Sequence, residues 1–354
     1  MNRQEIAHEL FSDTIPELWC PVITHFREAR TVDVDRTHRH LDVLARNVRG
    51  LLIPGSTGEG WDMSDAEILE LLGIVLRKTV DTNQILLVGI LKTTTDEMLA
   101  AIEKTVSWLL ETSGTKKWQD AFDKLGVRGF VVCPPRGSDR SQDEIYRDLS
   151  AVLQLGYPTA LYQLPQVTEN EMTASTVRQL WDAHENFFML KDTSGGDKVA
   201  LSGDVPSFNE TDALGRQTGV FFVRGAEGDY ARWPKTGGGV YDGLLLSTAN
   251  SFPEELATIL KFLSTGKTSD AKELSDRVAG AVTTVMENMA SFGAANAFAT
   301  TNKVLDHIRA WGSRSLEVDP PMVYSGARLP KDAIRLGVEA LEKSGIRVEK
   351  GYLE

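Results

Sequence analysis

Eight short apolar runs, each continuous rather than alternating, constrain this chain more than any other feature. They are LWCPVIT (18–24), GLLIPG (50–55), ILLVGIL (85–91), GFVVCPP (129–135), TALYQLP (159–165), FFMLKDT (187–193), VFFVRGA (220–226) and DGLLLST (242–248). Continuous hydrophobicity is what strands buried on both faces show, hence parallel strands covered by helices. The intervening segments read as those helices. SDAEILELLGIVLRKTV (64–80) has Ser64 as N-cap and Glu67 three residues on as a capping box, with apolar residues at 3–4 spacing. TDEMLAAIEKTVSWLLE (95–111) repeats the pattern with Thr95 as its cap. SQDEIYRDLSAVLQLG (141–156), stopped by Gly156, and TASTVRQLWDAHE (173–185) follow.

Eight β-then-α units predict an α/β fold, the (β/α)8 TIM barrel, for which roughly 250 residues is typical. An open doubly wound sheet would more often carry a glycine-rich turn after its first strand, and CPVITHF is no such turn. Beyond NSFP (250–253) the chain reads as all-helical, with EELATILKFLSTG, SDAKELSDRVAGAVTTVMENM and KDAIRLGVEALEKSG as candidates. The expected organisation is an N-terminal arm (1–13), a barrel domain (14–262) and a C-terminal helical extension (263–354). Segments near 110–126 and 200–219 lengthen two units and read as surface insertions.

Composition narrows the partners. A net charge of −12 over 354 residues argues against nucleic acid or an anionic membrane. Cys20 and Cys133 stand far apart, each inside an apolar run, which is neither a disulfide framework nor a zinc spacing. The N-terminus is charged and has no apolar signal core, and no apolar run reaches the roughly 18 residues that span a bilayer. A reduced, soluble, cytoplasmic protein with no membrane partner is expected. The histidines (His8, His25, His38, His40, His184, His307) form no HExxH pattern. His38 and His40 lie two apart on a predicted helix, where side chains diverge, so a solvated face is expected and no metal site.

In a barrel, side chains at the C-terminal strand ends line the active site. Here those ends carry Thr24, the loop GSTGEG (55–60), Cys133 to Arg136, Tyr162, Lys191 and Arg224–Gly225. An ordinary lysine, with a pKa of about 10.4, is a poor nucleophile at neutral pH because its lone pair is protonated. Apolar neighbours such as Phe187, Phe188 and Met189 disfavour the charged form. A neutral amine can form a Schiff base with a ketone, and the iminium then draws electrons from a neighbouring bond. Tyr162 ends the preceding strand and is placed to move protons, although a core tyrosine is an equal reading on spacing alone. The loop supplies backbone N–H groups at Gly55 and Gly58 with the hydroxyls of Ser56 and Thr57, a nest suited to an anionic oxygen. It is neither a Walker A loop nor GxGxxG.

GSTGEG followed by SDAE, then YQLP, FFMLKDTSGG and GLLLSTANSFP, in that order, resemble the dihydrodipicolinate synthase / N-acetylneuraminate lyase superfamily of class I aldolases. The resemblance covers about residues 14 to 310. It implies a (β/α)8 barrel acting on a small 2-keto acid without a cofactor beyond the covalent Schiff base, assembled as a homo-oligomer, dimer or tetramer. It implies Lys191 as the Schiff-base lysine and Tyr162 as the proton relay. Ser56 and Thr57 fall where that family binds the keto acid's carboxylate. Gly225 and Leu244–Leu245 fall where later strands close the pocket.

Three departures qualify it. The lysine-pathway synthases have a second tyrosine after strand four, where this chain reads VVCPPRGSD with Pro135 and Arg136. Their motif after strand five is Tyr-Asn-x-Pro-x-Arg, where this chain has Tyr162-Gln163-Leu164-Pro165-Gln166-Val167. The two insertions are the third. The expected activity is therefore aldol cleavage or dehydration of pyruvate or a sugar-derived 2-keto acid, with Arg136 or Arg224 reaching a distal anionic or hydroxylated part. The alternatives are a synthase-type condensation of pyruvate with an aldehyde, and an inactive barrel that binds a keto acid.

Overall fold

The computed structural model describes residues 3–11, 14–208, 219–293 and 296–354. Its principal strands are β1 (Leu18–Pro21), β2 (Gly50–Ile53), β3 (Ile85–Ile90), β4 (Val127–Val132), β5 (Thr159–Gln163), β6 (Phe187–Asp192), β7 (Phe221–Arg224) and β8 (Gly243–Leu245). They run in the order β1-β8-β7-β6-β5-β4-β3-β2 and close into a barrel, with helices between successive strands. All eight apolar runs become strands, shorter than the runs because each run includes its loop-facing end. A separate two-stranded ribbon, Phe26–Glu28 with Thr31–Val32, follows β1.

By its internal contacts the chain divides into two units, Met1–Trp19 with Ile85–Ala226 and Trp233–Leu245, and Cys20–Gln84 with Glu227–Arg232 and Leu246–Glu354. In the first unit, β5 and β6 pair in parallel with Tyr162 opposite Lys191, and β6 pairs β7 with Asp192 opposite Arg224. Phe187, Phe188, Met189 and Leu190 are fully buried, and each such side chain contributes roughly 1.5–3 kcal/mol of hydrophobic stabilisation. The N-terminal helix Arg3–Phe11 anchors this strand's start. Arg3 is buried; its Nε donates to Phe187 O at 2.9 Å and its Nη2 to Trp181 O and His184 O. Phe11 packs against Trp19 and Phe188.

The stretch near 110–126, expected as a surface insertion, is mostly exposed and helical. Helix Thr95–Ser113 ends at Gly114 and is followed by a second helix, Trp118–Leu125, whose Phe122 is buried. Trp118 meets Phe122 and Tyr157 edge-on, and Lys124 Nζ donates to Ser113 O at 2.7 Å. Of the segment near 200–219, residues 209–218 lie outside those described.

In the second unit, helix Asp65–Thr82 begins with Ser64 and Glu67 in the expected capping box. The cap of helix Thr95–Ser113 in the first unit is Thr94, one residue before the expected Thr95, its hydroxyl accepting from Glu97 N. The C-terminal helices are Pro253–Ser264, Thr268–Ser291, Ala297–Trp311 and Lys331–Lys343. The third was not among the sequence candidates. It buries Thr301, Asn302, Lys303, Asp306 and His307 beside Val304, Leu305 and Ile308, so polar residues interrupt and mask its short apolar stripe.

The expectation of a solvated face for His38 and His40 is wrong. His40 is fully buried, its Nδ1 3.1 Å from His25 Nε2 and its Nε2 2.9 Å from Asn250 O. His38 Nε2 lies 3.0 Å from Ile74 O. Two polar side chains on a helix need not face water when neighbouring elements present partners for them.

Candidate active site

Lys191 stands near the end of β6, and parallel register with β5 places Tyr162 directly beside it. Its Nζ lies 3.9 Å from the centre of the Tyr162 ring. Both residues are buried, Lys191 4% and Tyr162 2% exposed. The side chain is further confined by Gly225, just past β7. A Cβ there would come within 2.8 Å of Lys191 Cε and 2.4 Å of Thr193 Oγ1. Gly225 is therefore glycine for space: any side chain would displace the lysine stem. Its N–H donates to Asp192 O at 2.6 Å, holding the β7 end against the β6 end.

Cys133, at the end of β4, is fully buried, and burial pushes its thiol up to about 12 against the opposing charge of Lys191. It stays a neutral thiol and is no competing nucleophile. The turn after Lys191 is tied down on several sides. Thr193 N donates to Gln163 O, Gln166 Nε2 donates to Thr193 O at 2.9 Å, and Ser194 N donates to Asp192 Oδ1. Gln163 in turn exchanges hydrogen bonds with Met172 N and O. The two glutamines of the YQLPQ stretch thus brace the lysine turn.

Behind it lies a buried polar network. Tyr241 donates to Asp197 Oδ1 at 2.6 Å and, at 3.3 Å, to Asp192 Oδ2. Arg224 donates through Nε to Asp197 Oδ1 at 3.0 Å and through Nη1 to Ala226 O, with its guanidinium 4.5 Å from the Trp233 ring centre. Burial pushes the Asp192 carboxyl up, against the hydrogen bonds from Ser194. Burial likewise raises the Tyr241 phenol, reinforced by the two aspartates, so it stays a donor. Arg224 is thus engaged in a buried ion pair. The sequence placed it at a strand end but gave no sign of Asp197, which lies 27 residues earlier in a left-handed turn (φ 53°).

Arg136 is half-exposed and pairs with Glu169, its Nε 3.0 Å from Oε1. Its backbone is fixed by a bond from its N–H to Thr93 O, and Asn170 Nδ2 donates to Pro135 O. Leu245, in β8, is buried and registers with Trp19.

The loop after β2 belongs to the second unit. Its turn is closed by Gly58 N and Gly60 N, both donating to Gly55 O, and by Glu59 N donating to Ser56 O. These bonds leave the N–H groups of Ser56 and Thr57 outside the turn's own pairing. Trp61 Nε1 donates to Ser56 Oγ at 2.8 Å, and Asn296 Nδ2 donates to Ser56 O. At Gly58 a Cβ would meet Val22 O at 2.6 Å, and Thr24 Oγ1 donates to Gly58 O. Only glycine lets the β1 end and this loop approach so closely.

Glu59 is a residue that sequence reading passed over. It sits at φ 61°, buried, forms an ion pair with Lys303, and accepts from Tyr324 N at 2.9 Å. A charged residue between two glycines reads as solvated, and its partners lie more than 240 residues away. Among the described residues no cluster of histidine, cysteine and carboxylate groups could hold a metal ion, and no helix is long and apolar enough to cross a membrane.

Comparison with known proteins gives a consistent result. The model of the dihydrodipicolinate synthetase family matches residues 15–297. The 4-hydroxy-tetrahydrodipicolinate synthase 1 of Streptomyces coelicolor is 26% identical over 269 residues, covering 75% of this chain and 77% of that protein. An uncharacterized DapA-like lyase of Thermococcus onnurineus is 24% identical over 323 residues, 91% and 98% of the two chains. Among solved structures, a variant of the Sulfolobus solfataricus 2-keto-3-deoxygluconate aldolase superposes with a TM-score of 0.68 at 18% identity, covering 93% of this chain and 96% of its own. With its closed parallel barrel and a family match spanning most of its length, this chain belongs to the dihydrodipicolinate synthetase family.

Proposed function

We propose that this protein is a class I lyase that captures a 2-keto acid, pyruvate or a sugar-derived keto acid, as a Schiff base on Lys191. The observation that carries the reading is the buried Lys191 amine against the Tyr162 ring, with Gly225 leaving room for its stem. The lysine attacks the keto carbon to give a carbinolamine, which loses water to form the iminium. In cleavage, the C4 hydroxyl gives up its proton and the C3–C4 bond breaks toward the iminium. An aldehyde leaves, and the enamine is reprotonated at C3 and hydrolysed. In dehydration, C3 loses a proton and the C4 hydroxyl departs as water. Both need a group to carry protons to and from oxygen, and Tyr162 is assigned that role.

Ser56 and Thr57, with the glycines Gly55 and Gly58, keep the role of carboxylate donors. Gly225 and Leu245 belong to the pocket wall. Arg136 is assigned a distal contact, which requires it to exchange Glu169 for the substrate. Arg224, committed to Asp197, is assigned a structural role instead.

Condensation of pyruvate with an aldehyde is the second reading, supported by the similarity to the Streptomyces coelicolor 4-hydroxy-tetrahydrodipicolinate synthase 1. Against it stand Val167 and Pro135–Arg136 where synthases place their arginine and tyrosine. A panel of sugar-derived 2-keto acids assayed for released pyruvate or dehydration product, beside a coupled assay with pyruvate and aspartate semialdehyde, separates the two. Turnover confined to the panel is expected. Turnover in the coupled assay alone selects the synthase, and none in either favours the keto-acid-binding barrel.

A further inference from the structure

Glu59 sits between Gly58 and Gly60 with a left-handed backbone, φ 61°. A side chain disfavours that region and glycine occupies it freely, so the backbone alone would accept a third glycine more readily. The glutamate is there for what its side chain holds. Its carboxylate is buried, pairs through Oε2 with Lys303, and accepts from Tyr324 N at 2.9 Å through Oε1. Lys303 is itself fully buried. Its Nζ also donates to Met322 O at 2.7 Å and lies 4.5 Å from the centre of the Phe26 ring.

Both partners of the pair thus reach one segment, 320–328, which has anchors of its own. Tyr324 O accepts from Arg30 N at 3.1 Å, and the Tyr324 ring meets Phe26 edge-on, with the Arg30 guanidinium 5.3 Å from its centre. The Tyr324 hydroxyl donates to the carboxylate of Glu67, the capping-box residue of helix Asp65–Thr82, at 3.0 Å. Beyond Tyr324 the segment turns back, Gly326 N donating to Val323 O and Val323 N to Ala327 O. At the turn, a Cβ on Gly326 would come within 2.8 Å of Ala29 Cβ.

These contacts end on the loop that presents Ser56 and Thr57. Glu59 N donates to Ser56 O at 3.0 Å, and Asn296 Nδ2 donates to the same oxygen at 2.7 Å. That oxygen and the Thr57 N–H belong to one planar peptide and point in opposite directions. Fixing the carbonyl therefore aims the N–H. We propose that Glu59 and Lys303 are positioning residues for carboxylate recognition: their buried pair, fastened to segment 320–328, holds the Ser56–Thr57 peptide with its N–H turned toward the keto acid's carboxylate. The inference rests on the Schiff-base reading for the identity of the ligand. It assigns to this pair the preference for a ketone that carries a carboxylate over one that does not.

The test compares borohydride trapping of pyruvate and of acetone on Lys191, with amide hydrogen exchange followed in the same proteins. The parent is set beside Glu59→Gln/Lys303→Met, which leaves neither charge stranded, and beside Glu59→Gln alone, which keeps an acceptor for Tyr324 N. The parent is expected to prefer pyruvate. The double variant should lose about tenfold of that preference, the order expected when one hydrogen bond to a charged group is lost, and the single variant a smaller part. Exchange should quicken in 55–61 and stay as in the parent in 187–193. No adduct with either ketone in the parent would overturn the Schiff-base reading and this inference with it. A pyruvate preference that is the same in all three proteins, trapping of both ketones that falls together, or unchanged exchange in 55–61 would overturn this inference alone.

Discussion

At the scale of single residues, Gly225 is the most exacting position beside Lys191. Alanine there adds one carbon, and the space it needs is occupied by Lys191 Cε and Thr193 Oγ1. Both are side-chain atoms and can move, so the fold should survive while the amine shifts. A misplaced nucleophile loses rate steeply, of order a hundredfold for about 1 Å. Gly225→Ala is therefore expected to lower kcat at least tenfold with a Tm within a few degrees of the parent. A variant with full activity would show that the lysine does not rely on that space. The adjacency of Lys191 and Tyr162 was legible in the sequence because each closes one of two successive apolar runs, which become neighbouring parallel strands. Glu59 and Asp197 were not, because each is defined by a partner brought close only by the fold.

At the scale of elements, the eight strands and most helices followed from periodicity and caps. The exceptions share one cause. Helix Ala297–Trp311 and the histidines of Val34–Leu44 bury polar groups against other polar groups, and a pattern of apolar residues cannot report that. The segment after β6 behaves similarly. Asp197 joins the turn following Lys191 to β7 through Arg224 and to Tyr241, with Arg224 and Asp197 both almost fully buried. Removing one partner of a buried pair costs about 3–5 kcal/mol because the other charge is stranded. Asp197→Ala is thus expected to lower stability by about that amount in urea unfolding, with Asp197→Asn milder, since asparagine tolerates the left-handed backbone and can still accept from Tyr241. A loss under about 1 kcal/mol for the alanine variant would contradict the network's role.

At the scale of the whole molecule, buried imidazoles set the response to acid. Burial holds His25, His40 and His307 below the ordinary histidine value. Groups depressed in this way contribute fully above the unfolded value of about 6.5, and the contribution is lost as pH falls below it. Asp306 acts in the same sense at lower pH: burial would raise it, but Arg36, His40 and His25 outweigh burial and hold it well below the carboxylate range. Asp192 and Glu17, both raised by burial, work in the opposite direction within the carboxylate range. Tm is therefore expected to fall as pH is lowered from about 7.5 to about 5.5, read by thermal unfolding across that range. A Tm that holds or rises on acidification would show that these rings accept protons in the folded state.

The central claim, that Lys191 captures a keto acid, is tested most directly by borohydride reduction in the presence of pyruvate or a sugar-derived 2-keto acid, followed by peptide mass measurement. The account predicts a stable adduct on the peptide containing Lys191 and none in Lys191→Ala. No adduct with any keto acid, or an adduct that persists when Lys191 is replaced, would contradict it.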